Sequence, residues 1–128
     1  FLEPWISKEV VRFVGHLPQR SYARLLKSSH VHCYLTRPFV ASWSLLDAMA
    51  SGCCLVASDL DVVKEIASLE ATIWADHRQS DHLIAALEAA LTLESDQGIK
   101  RGMLQRKCVT NGWTRRQSLR RWKDLLGI

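Results

Sequence analysis

Short apolar runs alternate with longer amphipathic stretches along this chain, the pattern of a β-sheet carrying helices on its faces. Residues 12–14, 31–35, 54–57 and 71–74 read as strands. Helical spacing predicts helices over 18–28, with Tyr22, Leu25 and Leu26 inward, over 43–51, and briefly over 62–67. A longer one follows over 81–93, with Leu83, Ile84, Leu87 and Leu91 on one side. Two more, over 99–109 and 117–126, are separated around Asn111-Gly112. Strands joined through helices run parallel with right-handed crossovers, so their carboxyl ends line one edge. The expectation is one α/β domain, a parallel sheet with helices on both faces, and a ligand site along that edge.

The helix over 43–51 is the most informative element, because an acid sits inside an otherwise apolar segment. Ser42 is a good N-cap and Gly52 a natural stop. Trp43, Leu46, Met49 and Ala50 recur at three- and four-residue spacings and are expected to form the buried stripe. Asp47 follows Trp43 by one turn, which puts it at the edge of that packed face. The free N–H groups and positive dipole end of such a helix favour a phosphate over the loop that precedes it. One turn further on, a carboxylate that only accepts hydrogen bonds suits a pair of sugar hydroxyls.

The run Leu45-Leu46-Asp47-Ala48-Met49-Ala50-Ser51-Gly52, with the apolar strand after it, resembles the Leu-Glu-Ala-Met-Ala-x-Gly signature of glycosyltransferase family 4. Val11-Arg12-Phe13-Val14-Gly15-His16-Leu17-Pro18 resembles the strand-and-glycine-loop entry to that family's donor site, and Asp61-Val62-Val63-Lys64-Glu65-Ile66 resembles its Glu-Ile segment. The resemblance covers roughly residues 10 to 110. It implies a Rossmann-like fragment of the carboxyl-terminal, donor-binding domain of a GT-B enzyme, inactive alone, with helices from about residue 97 to 128 completing it. The implied activity is transfer of a sugar from a UDP-, GDP- or ADP-sugar to an unknown acceptor, with no cofactor and no bound metal. The implied donor-binding residues are Gly15, Leu17 (through its backbone to the base), Phe39, Ser42, Trp43, Ser44, Asp47 and Glu65.

Two positions depart from the pattern. The family carries two glutamates seven residues apart, one on the ribose hydroxyls and one on the transferred sugar. Here the ribose position is the shorter Asp47, and its partner is Phe39, whose side chain accepts no hydrogen bond. The resemblance also puts the acceptor domain, and the Arg and Lys that neutralise the leaving diphosphate, before Phe1. A non-catalytic binding or assembly module, or a sugar-phosphate epimerase of the same fold, are the alternative readings.

With 128 residues and 48% hydrophobic content, the chain can bury a single core. No apolar run is long enough for a membrane span and no leader pattern is present, which with the cysteines favours a reducing cytoplasm. Cys33, Cys53, Cys54 and Cys108 lack the paired spacing of zinc or redox sites, and the first three sit in apolar strand runs as ordinary buried thiols. Charge is the uneven property. The segment from Lys100 onward holds nine of the 17 basic residues and one of the 13 acids, so the rest of the chain is net acidic. Those cations alternate with Met103, Leu104, Leu119, Trp122, Leu125 and Leu126 at helical spacings. This is a solvated amphipathic face or a contact with an anionic membrane surface; no recognition-helix motif points to nucleic acid. Asp59 and Asp61 read as loop and N-cap acids before a metal pair, His30 and His32 as sheet-surface residues, and the five Trp as packing groups. Arg37, before the Pro38 loop, is equally a solvated residue and a phosphate contact.

Overall fold

The computed structural model describes residues 11–38, 42–76 and 78–127. Within them the chain runs α1 (Gln19–Ser28), β1 (Val31–Tyr34), α2 (Trp43–Ser51), β2 (Cys54–Ser58), α3 (Asp61–Lys64), β3 (Thr72–Ala75), α4 (Ser80–Leu91), α5 (Ser95–Gly112) and α6 (Arg115–Leu126). The strands form one parallel sheet in the order β1-β2-β3. Val31 pairs with Cys54 and Tyr34 with Ala57, while Leu55 pairs with Thr72 and Ser58 with Ala75. The fold is thus the expected Rossmann-like α/β arrangement.

β2 is the centre of the core, and all five of its residues are buried. Its side chains alternate between two layers, as the pleat requires. Leu55 and Ala57 pack with Tyr34, with Leu45 and Met49 of α2, and with Val63, against which Cys108 and Val109 of α5 also lie. Val56 and Ala75 pack on the other side with Ala86 and Ala90 of α4. α1 docks on α2 instead of the sheet, through Leu26, Ala48 and Cys53. The Cys53 thiol donates to the Leu26 carbonyl at 3.0 Å, and burial raises its pKa, which keeps it a neutral structural thiol.

Several expectations are corrected. Residues 12–14 do not form a strand: they lack a hydrogen-bonded neighbour in the sheet, and Phe13 and Val14 stay exposed. Apolar alternation without a ladder partner leaves the backbone to water. Cys33 is exposed, because α4 covers β2 and β3 but not the edge strand β1. In α1, Leu25 faces solvent while Leu26 is buried. In α4 the inward row is Leu83, Ala86, Leu87 and Ala90, and Ile84 and Leu91 are exposed. Small residues let that helix approach the sheet closely, which turns the larger side chains outward.

The final helices are also longer than their apolar spacing predicts. α5 continues through Asn111-Gly112, and the break falls at Trp113-Thr114. Thr114 and Gln117 form a reciprocal capping box that starts α6. The Gln117 amide also donates to the Thr110 and Asn111 carbonyls, which ties α6 to the end of α5. α5 meets the domain through Gly102 and Gln105, with Met103 turned to solvent. At that crossing Gly102 lies against Gly52, so close that a Cβ on Gly102 would stand 1.9 Å from the Gly52 carbonyl oxygen.

Candidate functional site

The carboxyl edge of the sheet is built by three loops that leave β1, β2 and β3. After β1 the chain is pinned at both ends of its described stretches. The Thr36 N–H donates to the hydroxyl of fully buried Ser58 at 2.9 Å, and the Ser42 N–H donates to the Tyr34 hydroxyl at 3.0 Å. These bonds fix where α2 begins. Ser42 occupies the N-cap position with extended backbone, but its hydroxyl pairs with that of Ser44 and caps no backbone amide. Among the described residues no side chain caps the first turn of α2, whose N-terminus follows the carboxyl end of β1.

Trp43 corrects the sequence reading most sharply. It is 81% exposed, and the buried row of α2 is Leu45, Ala48 and Met49. The buried stripe is rotated because Leu45 and Met49 fill the space over β2, and Ala48 admits α1. Ala50, expected in the buried stripe, is exposed with Trp43. Asp47 is exposed as well, one turn from Trp43 on the side open to solvent.

Asp47 has a neighbour the sequence did not single out. Tyr22 of α1 packs beside Ala48 and Cys53. Burial first, then the negative charge of Asp47, raises the Tyr22 pKa above its ordinary 10.0. A raised folded-state value stabilises the native state below the unfolded pKa and withdraws that contribution as pH climbs through the folded one. In Asp47→Asn the Tyr22 phenol should titrate closer to 10.0 yet stay above it, since burial persists. Carbon-13 labelling of the tyrosine rings reads this directly, and an unchanged titration would remove Asp47 from the neighbourhood of Tyr22.

The loop carrying Gly15 and Leu17 leads into α1, which packs on α2. Gly15 takes φ +62°, a left-handed conformation suited to glycine; Leu17 is half-buried. Glu65 is the exposed C-cap residue of α3, just beyond β2. Phe39 lies outside the described residues. Asp59 and Asp61 do not act as a pair: Asp59 is ion-paired to Lys64, whose ammonium sits 5.6 Å from the Trp74 ring centroid, while Asp61 is in the first turn of α3. Burial lowers the pKa of His32, which keeps its imidazole neutral. Among the described residues no group of three or more His, Cys, Asp and Glu could hold a metal ion.

A cluster after β3 completes the edge and went unread in the sequence. Asp76 accepts from the Arg78 side chain at 2.9 Å and 3.0 Å and from Gln79 at 3.1 Å. Those bonds hold its carboxyl well below the usual carboxylate range. A cleft of about 550 Å3 opens there, lined by Asp59, Trp74, Asp76, Gln79 and His82. The available signal was positional, since Asp59 and Asp76 each follow the last residue of an apolar strand, and the Asp59 N–H donates to the Ala75 carbonyl at 3.0 Å. A second cavity, about 420 Å3, lies at the amino edge among Lys27, His30, Cys54, Glu94 and Gly98. The chain matches no family model and no curated protein.

Proposed function

We propose that this chain is the donor-binding domain of a family 4-like glycosyltransferase, holding a nucleotide-sugar at the carboxyl edge of its sheet. The observation that carries the reading is α2: a helix of nine residues whose first turn no described side chain caps, with Ser42 and Ser44 at its entrance and Asp47 exposed in its second turn. Backbone amides and serine hydroxyls at that end suit the diphosphate, and Asp47 suits the vicinal hydroxyls of ribose. The left-handed Gly15 turn and half-buried Leu17, at the entrance to α1, are proposed to take the base. Glu65, with Trp43 exposed beside the entrance, completes the proposed contacts, and the donor is taken without a cofactor or metal.

Transfer needs positive charge on the departing diphosphate, and the resemblance assigns that to an Arg and a Lys that this chain does not match. The chain by itself should bind donor and transfer little. A binding module without catalysis is the second reading, favoured by Phe39 standing where the resemblance expects a sugar-contacting acid.

Titration of the isotopically labelled chain with UDP, GDP and ADP, followed by two-dimensional NMR, tests the proposal. The expected result is saturable shifts around Leu17, Ser42 to Asp47 and Glu65 with one of the three. Asp47→Ala removes two hydrogen bonds to a charged acceptor and should weaken binding roughly tenfold to a hundredfold. Shifts that survive unchanged in the variant, or the absence of shifts with every nucleotide, would defeat the assignment.

A further inference from the structure

α6 has no buried residue, and all of its length from Ser118 to Leu126 is exposed. Its side chains are nonetheless sorted. At helical spacing, Leu119, Trp122, Leu125 and Leu126 share one stripe. They are 53%, 60%, 76% and 63% exposed, so nothing described in the chain covers them. Arg116 and Lys123 border the stripe on one side and Arg121 on the other, Arg115 falls in line with the stripe at the helix's first turn, and Asp124, the helix's lone acid, lies beside Arg120 on the opposite face.

From this arrangement we infer that α6 is a membrane-surface anchor that lies in the headgroup region of an anionic bilayer, independently of any donor site. Charge complementarity selects that occupant. An apolar protein groove needs only the stripe, but an interface between acyl chains and anionic headgroups needs cations on both borders and acids kept away, which is what α6 presents. The long Arg and Lys stems let their charged ends rise to the headgroups while Trp122 and the leucines sink below them. The helix is already folded and capped at Thr114, so binding does not have to order it. Among the described residues no helix is long and apolar enough to cross a membrane, and α6, with 12 residues, is suited to lie along the surface.

The test is co-sedimentation of the chain with phosphatidylcholine vesicles, with and without phosphatidylserine, at physiological salt. Binding is expected only to the phosphatidylserine vesicles and should fall as salt rises. The triple variant R116Q/R121Q/K123Q should bind on the order of a hundredfold more weakly, about fivefold for each cation removed. The variant W122S/L125S should lose roughly tenfold or more. R106Q/K107Q, which removes two exposed cations of α5, should lose much less, because those residues do not border the stripe. All of these positions are exposed, and far-ultraviolet circular dichroism checks that each variant stays folded. Equal sedimentation with neutral vesicles, none with anionic ones, equal losses in the α5 variant, or capture of a DNA duplex in preference to vesicles would each overturn the inference.

Discussion

Gly102→Ala is expected to destabilise the domain by about 3 kcal/mol, the upper part of the usual range for overpacking. The added methyl would sit 1.9 Å from the Gly52 carbonyl oxygen and 2.7 Å from its carbon, and both are backbone atoms with no rotamer to change. Gly52 cannot withdraw easily. It ends α2 at φ +79°, and the next residue is held by its N–H on Ala48 at 3.2 Å and its thiol on Leu26 at 3.0 Å. Alanine's better helix propensity returns about 1 kcal/mol at most, so the clash decides the sign. Gly98, one turn earlier in α5, meets nothing within 4 Å of an added Cβ. Gly98→Ala should therefore be neutral to slightly stabilising. Urea unfolding of both variants, with the slope unchanged and only the midpoint moved, distinguishes a packing clash from a general glycine effect.

Gln105→Leu should cost about 2 kcal/mol although it replaces a polar group by an apolar one of similar size. Gln105 is fully buried, and each end of its amide is used. Its oxygen accepts from the Ser68 N–H at 3.1 Å, and its nitrogen donates to the Thr72 hydroxyl at 2.7 Å. Leucine leaves the Ser68 amide without that acceptor, and an orphaned buried donor costs its full desolvation. The Thr72 hydroxyl still donates to the Ser68 carbonyl at 2.7 Å, so that half of the network survives. Combining the change with Thr72→Val should cost less than the sum of the two, because they share one bond. Strict additivity in the same urea assay would show that the network does not act as a unit.

These two residues also mark where the sequence is hard to read. Alternation of short apolar runs with amphipathic stretches was enough for the parallel sheet, since β2 is apolar up to Ser58 and buried along its length. Gly52 ended α2 as expected because a left-handed stop is local chemistry, whereas Ser42 holds the N-cap position with its hydroxyl turned to Ser44 instead of to an amide. Helix faces were another matter. Spacing assigns the largest apolar side chains to the interior, but these helices make their closest approaches through Ala48, Ala86, Ala90 and Gly102. Trp43, Ile84 and Leu91, expected on inward faces, are at the surface. Gln105 was invisible for a related reason: a polar residue reads as exposed until its partners are known. Residues 12–14 show that strand formation belongs to a pair of segments and cannot be judged from one. Of the candidate site, Ser42, Ser44, Asp47 and Glu65 follow β1 and β2 as the strand–helix alternation implies, whereas the strand expected before Gly15 and Leu17 does not form. The influence of Asp47 on Tyr22 and the Asp76 cluster required the packing of α1 and the turn after β3.

The exposed position of α6 separates two properties that mutations normally confound. Because every side chain from Ser118 to Leu126 is exposed, changes there should alter stability by no more than surface substitutions do, within about 0.5 kcal/mol. Stability thus places almost no constraint on the order of residues in this helix beyond Gln117. A loss of any activity on altering it can be assigned to the helix itself, without the usual suspicion that the protein has simply come apart.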